Sequence, residues 1–199
     1  MNNNESQWLV RAIEGDDDAF ARLVEIYQKP VYNLCYRMLG NANDAEDAAQ
    51  EAFLRAYKSL ARYDRNRSFA TWLLSIASHY CIDQLRKRRF MTFSLDDDER
   101  YWFEPPDPGP KPEMALILSE KQAQVQVLLD ILGPKDRAAV VMRYWHNYSY
   151  QEIAQSLSLT VSAVKSRLHR ARQQLAVHWQ SQQAQSLTAE RICHESPAF

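Results

Sequence analysis

Five prolines and a glycine crowd one short stretch: Pro105, Pro106, Pro108, Gly109, Pro110 and Pro112. Each proline removes a backbone donor and fixes φ, so no helix interior survives there. The stretch from Thr92 to Glu113 alternates these prolines with acids and has little to bury, and it reads as an extended linker. The chain must therefore fold as two pieces, each with its own core. Apolar residues make up 46% of the chain, enough for two small cores. Only four glycines occur, and Ala, Leu, Gln, Arg and Glu are frequent, so an all-α protein of two small helical domains is expected.

Apolar spacing places the helices. Phe20, Leu23, Val24, Tyr27, Val31, Leu34, Cys35 and Met38 mark one from Ala19 to about Leu39, with a kink or break expected near Lys29 because Pro30 follows. Gly40 and Asn41 read as its stop. Asp44 reads as the N-cap of the next helix, with Asp47 in the capping-box position and an alanine-rich stripe running to about Leu60. A third helix starts near Ser68 or Phe69, buries Phe69, Trp72, Leu73, Ile76 and Tyr80, and ends around Phe90. Beyond the linker, Leu116 to Leu132 form one helix broken by Gly133-Pro134, and Ala138 to Trp145 the next, with Val140, Val141 and Tyr144 inward.

Tyr150 to Leu157 and the helix from Val161 to about Leu175 are joined by Ser158-Leu159-Thr160. On a wheel of about 100° per residue, Val164, Leu168, Ala171 and Leu175 gather on one face. The opposite face presents Ser162, Ser166, His169 and Gln173, flanked by Lys165 and Arg170. Arg167 and Arg172 lie nearer the apolar edge, suited to phosphates or local packing. Hydrogen-bonding groups on the outward face of a second helix, with cations beside them, are what entry into the major groove requires. Thr160 is placed to cap that helix. Ser158 stands where the turn requires a left-handed backbone, at roughly 1 kcal/mol for a non-glycine residue. A plain helical hairpin with a solvated basic face is the competing account.

The net charge of −1 conceals two basic blocks, Arg86 to Arg89 and Lys165 to Arg172, separated by acids at Asp96–Glu99. Cys35, Cys81 and Cys193 form no CxxC pair; Cys35 and Cys81 fall in apolar patterns and read as buried thiols. No cofactor or metal pattern appears: there is no HExxH, no Gly-rich phosphate loop and no paired-carboxylate cluster. An enzyme is not expected. No long apolar run or secretory leader is visible, so a cytoplasmic protein without membrane insertion is expected.

Three blocks resemble one family. Tyr150-Gln-Glu-Ile-Ala-Gln-Ser-Leu with Val164-Lys-Ser-Arg-Leu-His-Arg-Ala-Arg172 is similar to domain 4 of bacterial extracytoplasmic-function sigma factors, of the sigma-70 family. Asp44-Ala-Glu-Asp-Ala-Ala-Gln-Glu-Ala-Phe53 resembles the domain 2 helix that grips core RNA polymerase. Phe69 to Ala77 followed by Ile82 to Arg89 resembles the helix that reads and opens the minus-ten element. The resemblance implies domain 2 over residues 1–91, a linker over 92–113, domain 4 over 114–177 and an extension over 178–199.

It also implies partners: the clamp helices of the largest polymerase subunit, promoter DNA and an anti-sigma factor. Asp47, Gln50, Glu51 and Phe53 match polymerase-contacting positions, although the acids also suit a helix start. Ser75, His79, Asp83, Arg86, Lys87, Arg88 and Arg89 would face minus-ten DNA, with His79 where the family often has Asn. Lys165, Ser166, His169 and Arg170 match positions that read the minus-thirty-five element, with Ser162, Arg167 and Arg172 beside them. The linker acids Asp96–Glu99, Glu104 and Asp107 would run toward the polymerase channels. A stand-alone regulator with an N-terminal sensor would need neither of the first two blocks. The Gln- and Ser-rich extension reads first as a disordered tail, with an amphipathic segment carrying Trp179, Leu187, Ile192 and Phe199 as the alternative.

Overall fold

The computed structural model describes the backbone of residues 3–94 and 113–194, and the side chains of residues 4–90 and 122–181. Eight α-helices and one 3-10 turn account for its regular structure, and no strand occurs among the described residues. They are α1 (Asn3–Ile13), α2 (Asp17–Leu39), α3 (Ala42–Ser59), α4 (Phe69–Ser94), α5 (Glu113–Asp130), α6 (Pro134–Trp145), α7 (Tyr150–Ser156) and α8 (Val161–His194), with the 3-10 turn at Leu60–Arg62. The expected all-α architecture holds. The prolines from Pro105 to Pro112 and the acids from Asp96 to Asp107 lie outside the described residues.

Helices α2, α3 and α4 build the N-terminal core. Val31, Leu34, Cys35 and Met38 of α2 meet Ala45, Ala48, Ala52 and Ala56 of α3 and Phe69, Leu73, Ala77 and Cys81 of α4, all nearly fully buried. The small alanines let the helices approach closely, so each large partner is tightly enclosed; truncating Leu34 to Ala would cost about 2–5 kcal/mol. Cys35 and Cys81 are free and buried. Its hydrogen bond with Cys35, with burial behind it, drives the Cys81 thiol far above its ordinary pKa, so it stays protonated.

Three local readings change. α1 was not anticipated; it packs Leu9 and Ala12 onto the core and joins Glu5 to the Tyr27 hydroxyl. α2 runs unbroken through Pro30, because burial of Val31, Leu34 and Cys35 on the following turn holds the helix across the lost hydrogen bond. The N-cap of α3 is Asn41, whose side chain accepts from the Asp44 amide at 3.1 Å, rather than Asp44 itself. Gly40 at φ 77 ends α2, and its N–H donates to the Tyr36 carbonyl at 2.8 Å, so the cap of α3 follows at once.

In the C-terminal half, α6 is buried over Arg137–Met142, with α2 and α4 on one side and α8 on the other. Tyr144, expected inward, is exposed, because only the middle of α6 is covered on all sides. α8 does not stop near Leu175 but continues to His194, in place of the disordered tail. Val177 and Trp179 on that extension are exposed, whereas His178 between them is half-buried; Leu187, Ile192 and Phe199 have side chains outside the described residues.

The two halves meet along a polar seam. Arg137 of α6 is only 5% exposed; its Nη1 donates to the Met38 carbonyl at 2.7 Å and pairs with Asp130 at 2.9 Å. It thereby caps the C-terminus of α2, where a cation is favoured. Buried Gln126 donates to the Arg37 carbonyl at 3.4 Å and abuts Gly40, where a Cβ would lie 3.0 Å from its Nε2. The Arg37 guanidinium covers the Trp145 ring at 4.3 Å. Tyr148 is buried at the start of α7, and desolvation pushes its phenol up to about 12.

Candidate nucleic-acid and polymerase interfaces

The helix-turn-helix is fixed at both ends of α7. Ser149 and Glu152 form a capping box: the Ser149 hydroxyl accepts from the Glu152 amide at 3.2 Å, and the Glu152 carboxylate accepts from the Ser149 amide at 2.8 Å. Ser-x-x-Glu ahead of an apolar turn is the legible signal for it. At the other end the Leu159 N–H donates to the Ala154 carbonyl at 2.8 Å, a Schellman closure that places Ser158 at φ 52. The left-handed serine expected in the turn is there. Thr160 then caps α8, accepting from the Ala163 amide at 3.1 Å.

Val164, Leu168 and Ala171 of α8 are buried. Ser162, Lys165, Ser166, His169 and Arg170 all stand exposed on the opposite side. Arg167 is not among them: at 2.7 Å from Asp136 it ties α8 to the start of α6, the packing role foreseen as one of its two options. Arg172 is exposed and its Nε donates to the Leu168 carbonyl at 3.3 Å. Half-buried Tyr150 stacks under Arg143 at 5.1 Å and lies 5.9 Å from the Lys165 ammonium, so it orients a predicted DNA contact that periodicity alone does not single out.

On α4, His79 and Asp83 are exposed and Ser75 is half-buried, its hydroxyl donating to the Trp72 carbonyl at 2.6 Å. His79 Nδ1 sits 2.8 Å from the Ser75 carbonyl, which leaves Nε2 for solvent or a base. Arg86 and Asp83 approach within 3.7 Å, both more than half exposed. The basic block is not one surface: Arg88 turns to the other side and pairs with Asp44 of α3 at 2.7 Å. Phe90, by contrast, follows Arg86 by one turn and is 79% exposed. Trp72 is core material, packed on Tyr63 at 5.1 Å and Phe69 at 5.6 Å.

On α3, Asp47 and Gln50 are exposed, and half-buried Glu51 pairs with Arg55 at 2.7 Å. Phe53 is half-buried against the core. Leu54 and Tyr57, 53% and 47% exposed, occupy the outward face instead. Leu54 lies two turns beyond Asp47, a spacing that would have identified it.

Among the described residues no cluster of metal-ligating side chains occurs, and no helix is long and apolar enough to cross a membrane.

Comparison with known proteins places both halves. Residues 23–91 match the family model for sigma-70 region 2, and residues 122–175 match that for sigma-70 region 4. The chain is 40% identical over 168 residues to the ECF RNA polymerase sigma factor SigW of Bacillus subtilis, covering 81% of this chain and 89% of that protein. It is 38% identical over 154 residues to the ECF sigma factor SigE of Mycolicibacterium smegmatis, covering 77% of this chain and 58% of that one. The fold is similar to that of CnrH in complex with the cytosolic domain of CnrY, with a TM-score of 0.67 and 23% identity over 90% of this chain and 99% of that one. It is also similar to RpoE in complex with the anti-sigma factor NepR from Bartonella quintana, with a TM-score of 0.58 and 20% identity over 78% and 93% of the two chains.

Proposed function

The chain belongs to the sigma-70 family, as an extracytoplasmic-function sigma factor that directs RNA polymerase to promoters, and on that premise we propose which of its surfaces does each task. The outward face of α8 reads the minus-thirty-five element through Lys165, Ser166, His169 and Arg170, with Ser162 and Arg172 at its margin. Arg167 holds that helix in place through Asp136. The α4 stripe of Ser75, His79, Asp83, Arg86, Lys87 and Arg89 meets the minus-ten region, where Arg88 serves as a brace to α3. Asp47, Gln50 and Glu51 contact the clamp helices of the largest polymerase subunit, and exposed Leu54 supplies the apolar centre that Phe53 does not.

One observation carries the reading: the three sets lie on exposed faces of three different helices whose other faces are buried in one core. Domain 2 then spans residues 1–91, and domain 4 residues 114–177. The protein acts in the cytoplasm, with no catalysis of its own. An anti-sigma factor controls it, a reading supported by the complexes that its structural relatives form.

The test is run-off transcription by core polymerase with and without this chain, on promoters selected from random DNA. Absence of promoter-dependent initiation refutes the reading. Asp47→Ala should lower core affinity and leave the selected sequence unchanged, whereas Arg170→Ala should change the selected minus-thirty-five bases.

A further inference from the structure

The seam between the two halves ends in a histidine. Trp145 closes α6 under the Arg37 guanidinium of α2, at 4.3 Å, and His146 follows as the C-cap of that helix. Two further contacts hold the same end of α2, from Arg137 to the Met38 carbonyl and from Gln126 to the Arg37 carbonyl. His146 is half-buried, yet its Nε2 is wholly buried and meets no hydrogen-bond partner. Its ring lies edge-on to Tyr148 at 6.2 Å.

A neutral imidazole donates from one nitrogen; a protonated one donates from both. Nε2 offers a second proton no acceptor, and the charge that reaches the ring across the seam is the Arg37 cation. Burial first, and that cation second, hold His146 below its ordinary pKa. The surrounding groups do not offset this. Tyr148 is neutral, its phenol pushed up to about 12, and α4 faces it with buried, uncharged Thr71. Arg143, one turn earlier on α6, adds a cation and donates to the Tyr148 carbonyl at 2.8 Å. On α7 the Glu152 carboxylate is occupied by Ser149 in the capping box. The charges of α5 and α8 meet the other end of α6, in the Arg137–Asp130 and Arg167–Asp136 pairs, about 13 Å along the helix from His146. Parting the halves takes Arg37 away from the ring and returns the ring to water, so the parted form binds the proton more tightly.

We propose that this contact is an acid-sensitive latch: protonation of His146 sets a second cation against Arg37, with no acceptor for it, and parts α6 from α2. The latch goes beyond the assignment of surfaces to polymerase and promoter, since it rests on the seam alone. With an ordinary pKa of 6.5 in the parted form and a lower one in the joined form, the ratio of parted to joined molecules should rise about two- to fivefold between pH 6.5 and about 5.5.

The experiment uses the full chain with a fluorescent donor and acceptor at exposed Lys29 of α2 and Gln180 of α8, introduced as Lys29→Cys and Gln180→Cys with Cys193→Ser. Energy transfer is followed from about pH 7.5 to about 5.5, with helical content measured on the same samples by circular dichroism. Transfer should fall as the histidine titrates, at constant helical content. His146→Gln, which stays neutral, should hold transfer at its neutral-pH level throughout. Arg37→Met should lower transfer at every pH and shrink its change with acid, because the opposing cation is gone. Transfer that does not respond to pH overturns the proposal. So does a fall of full size in His146→Gln, an undiminished acid response in Arg37→Met, or a fall that tracks a loss of helical content.

Discussion

Replacing Ser158 by glycine should stabilise the protein. Ser158 occupies the left-handed position of the closure that ends α7, at φ 52, and it is exposed. An L-residue held there costs roughly 1–2 kcal/mol, because its Cβ crowds the following carbonyl. Glycine removes that crowding but loses more chain entropy on folding, by about 0.5–1 kcal/mol. The net gain is about 0.5–1 kcal/mol, which for a chain of this size raises the melting temperature by about 1–4 °C. Thermal melts of Ser158→Gly, Ser158→Asn and Ser158→Ala, followed by circular dichroism, test the argument as a series. Alanine has the same Cβ and should melt with the wild type. Asparagine tolerates the left-handed region and should fall between alanine and glycine. A glycine variant no more stable than alanine would refute the assignment of strain to this turn.

Three further outcomes are expected. Arg137→Ala leaves the Met38 carbonyl without its charged donor and should destabilise by about 2–3 kcal/mol in urea titrations, whereas Arg137→Met, which fills the space without a buried charge, should lose much less. Ser149→Ala removes the hydroxyl half of the capping box and should cost about 1 kcal/mol, with faster amide exchange at the first turn of α7 as the local readout. His146 is held below its ordinary pKa of 6.5, first by burial and then by the nearby Arg37 charge. The unfolded chain therefore binds a proton that the folded chain refuses. Stability should be full above pH 6.5, fall as pH drops below it, and level off once the folded histidine also protonates. His146→Gln should flatten that fall in pH-dependent denaturation.

The buried sides of the helices were legible in the sequence because periodicity reports burial directly. Phe69 and Leu73, or Val164, Leu168 and Ala171, announce themselves by spacing, whereas Trp72, Ile76 and Tyr80, expected on the buried face of α4, are only half-buried and Ala77 is buried in their place. Prediction failed where one local signal competed with another. Asn41 and Asp44 are both good caps, and the choice fell to the tight exit from Gly40. Pro30 is a helix breaker by itself, but the core residues on either side of it outweigh one missing hydrogen bond. α1 was hidden behind a polar start, although Trp8, Leu9, Ala12 and Ile13 carry a helical pattern. The seam was illegible for a deeper reason: Arg137 and Gln126 are polar, and nothing in their spacing says that they are buried against carbonyls 99 and 89 residues away. The face of α3 was half legible, since acids mark Asp47 and Glu51 as outward whereas an apolar Leu54 reads by type as core.

The seam also bears on how far the molecule can extend. On the assignment proposed above, α4 and α8 must each meet its own element on one duplex. While Arg137 grips the end of α2, the seam fixes the separation of those two faces. If the elements are spaced more widely than the closed form can span, promoter-bound molecules are drawn from the population in which that grip is released. If closure is favoured by about 1.4 kcal/mol, one molecule in roughly ten is open, and apparent promoter affinity falls about tenfold below the intrinsic value. Substitutions at Arg137, Gln126 or Trp145 would then act as a gain control on transcription without touching a single base or polymerase contact.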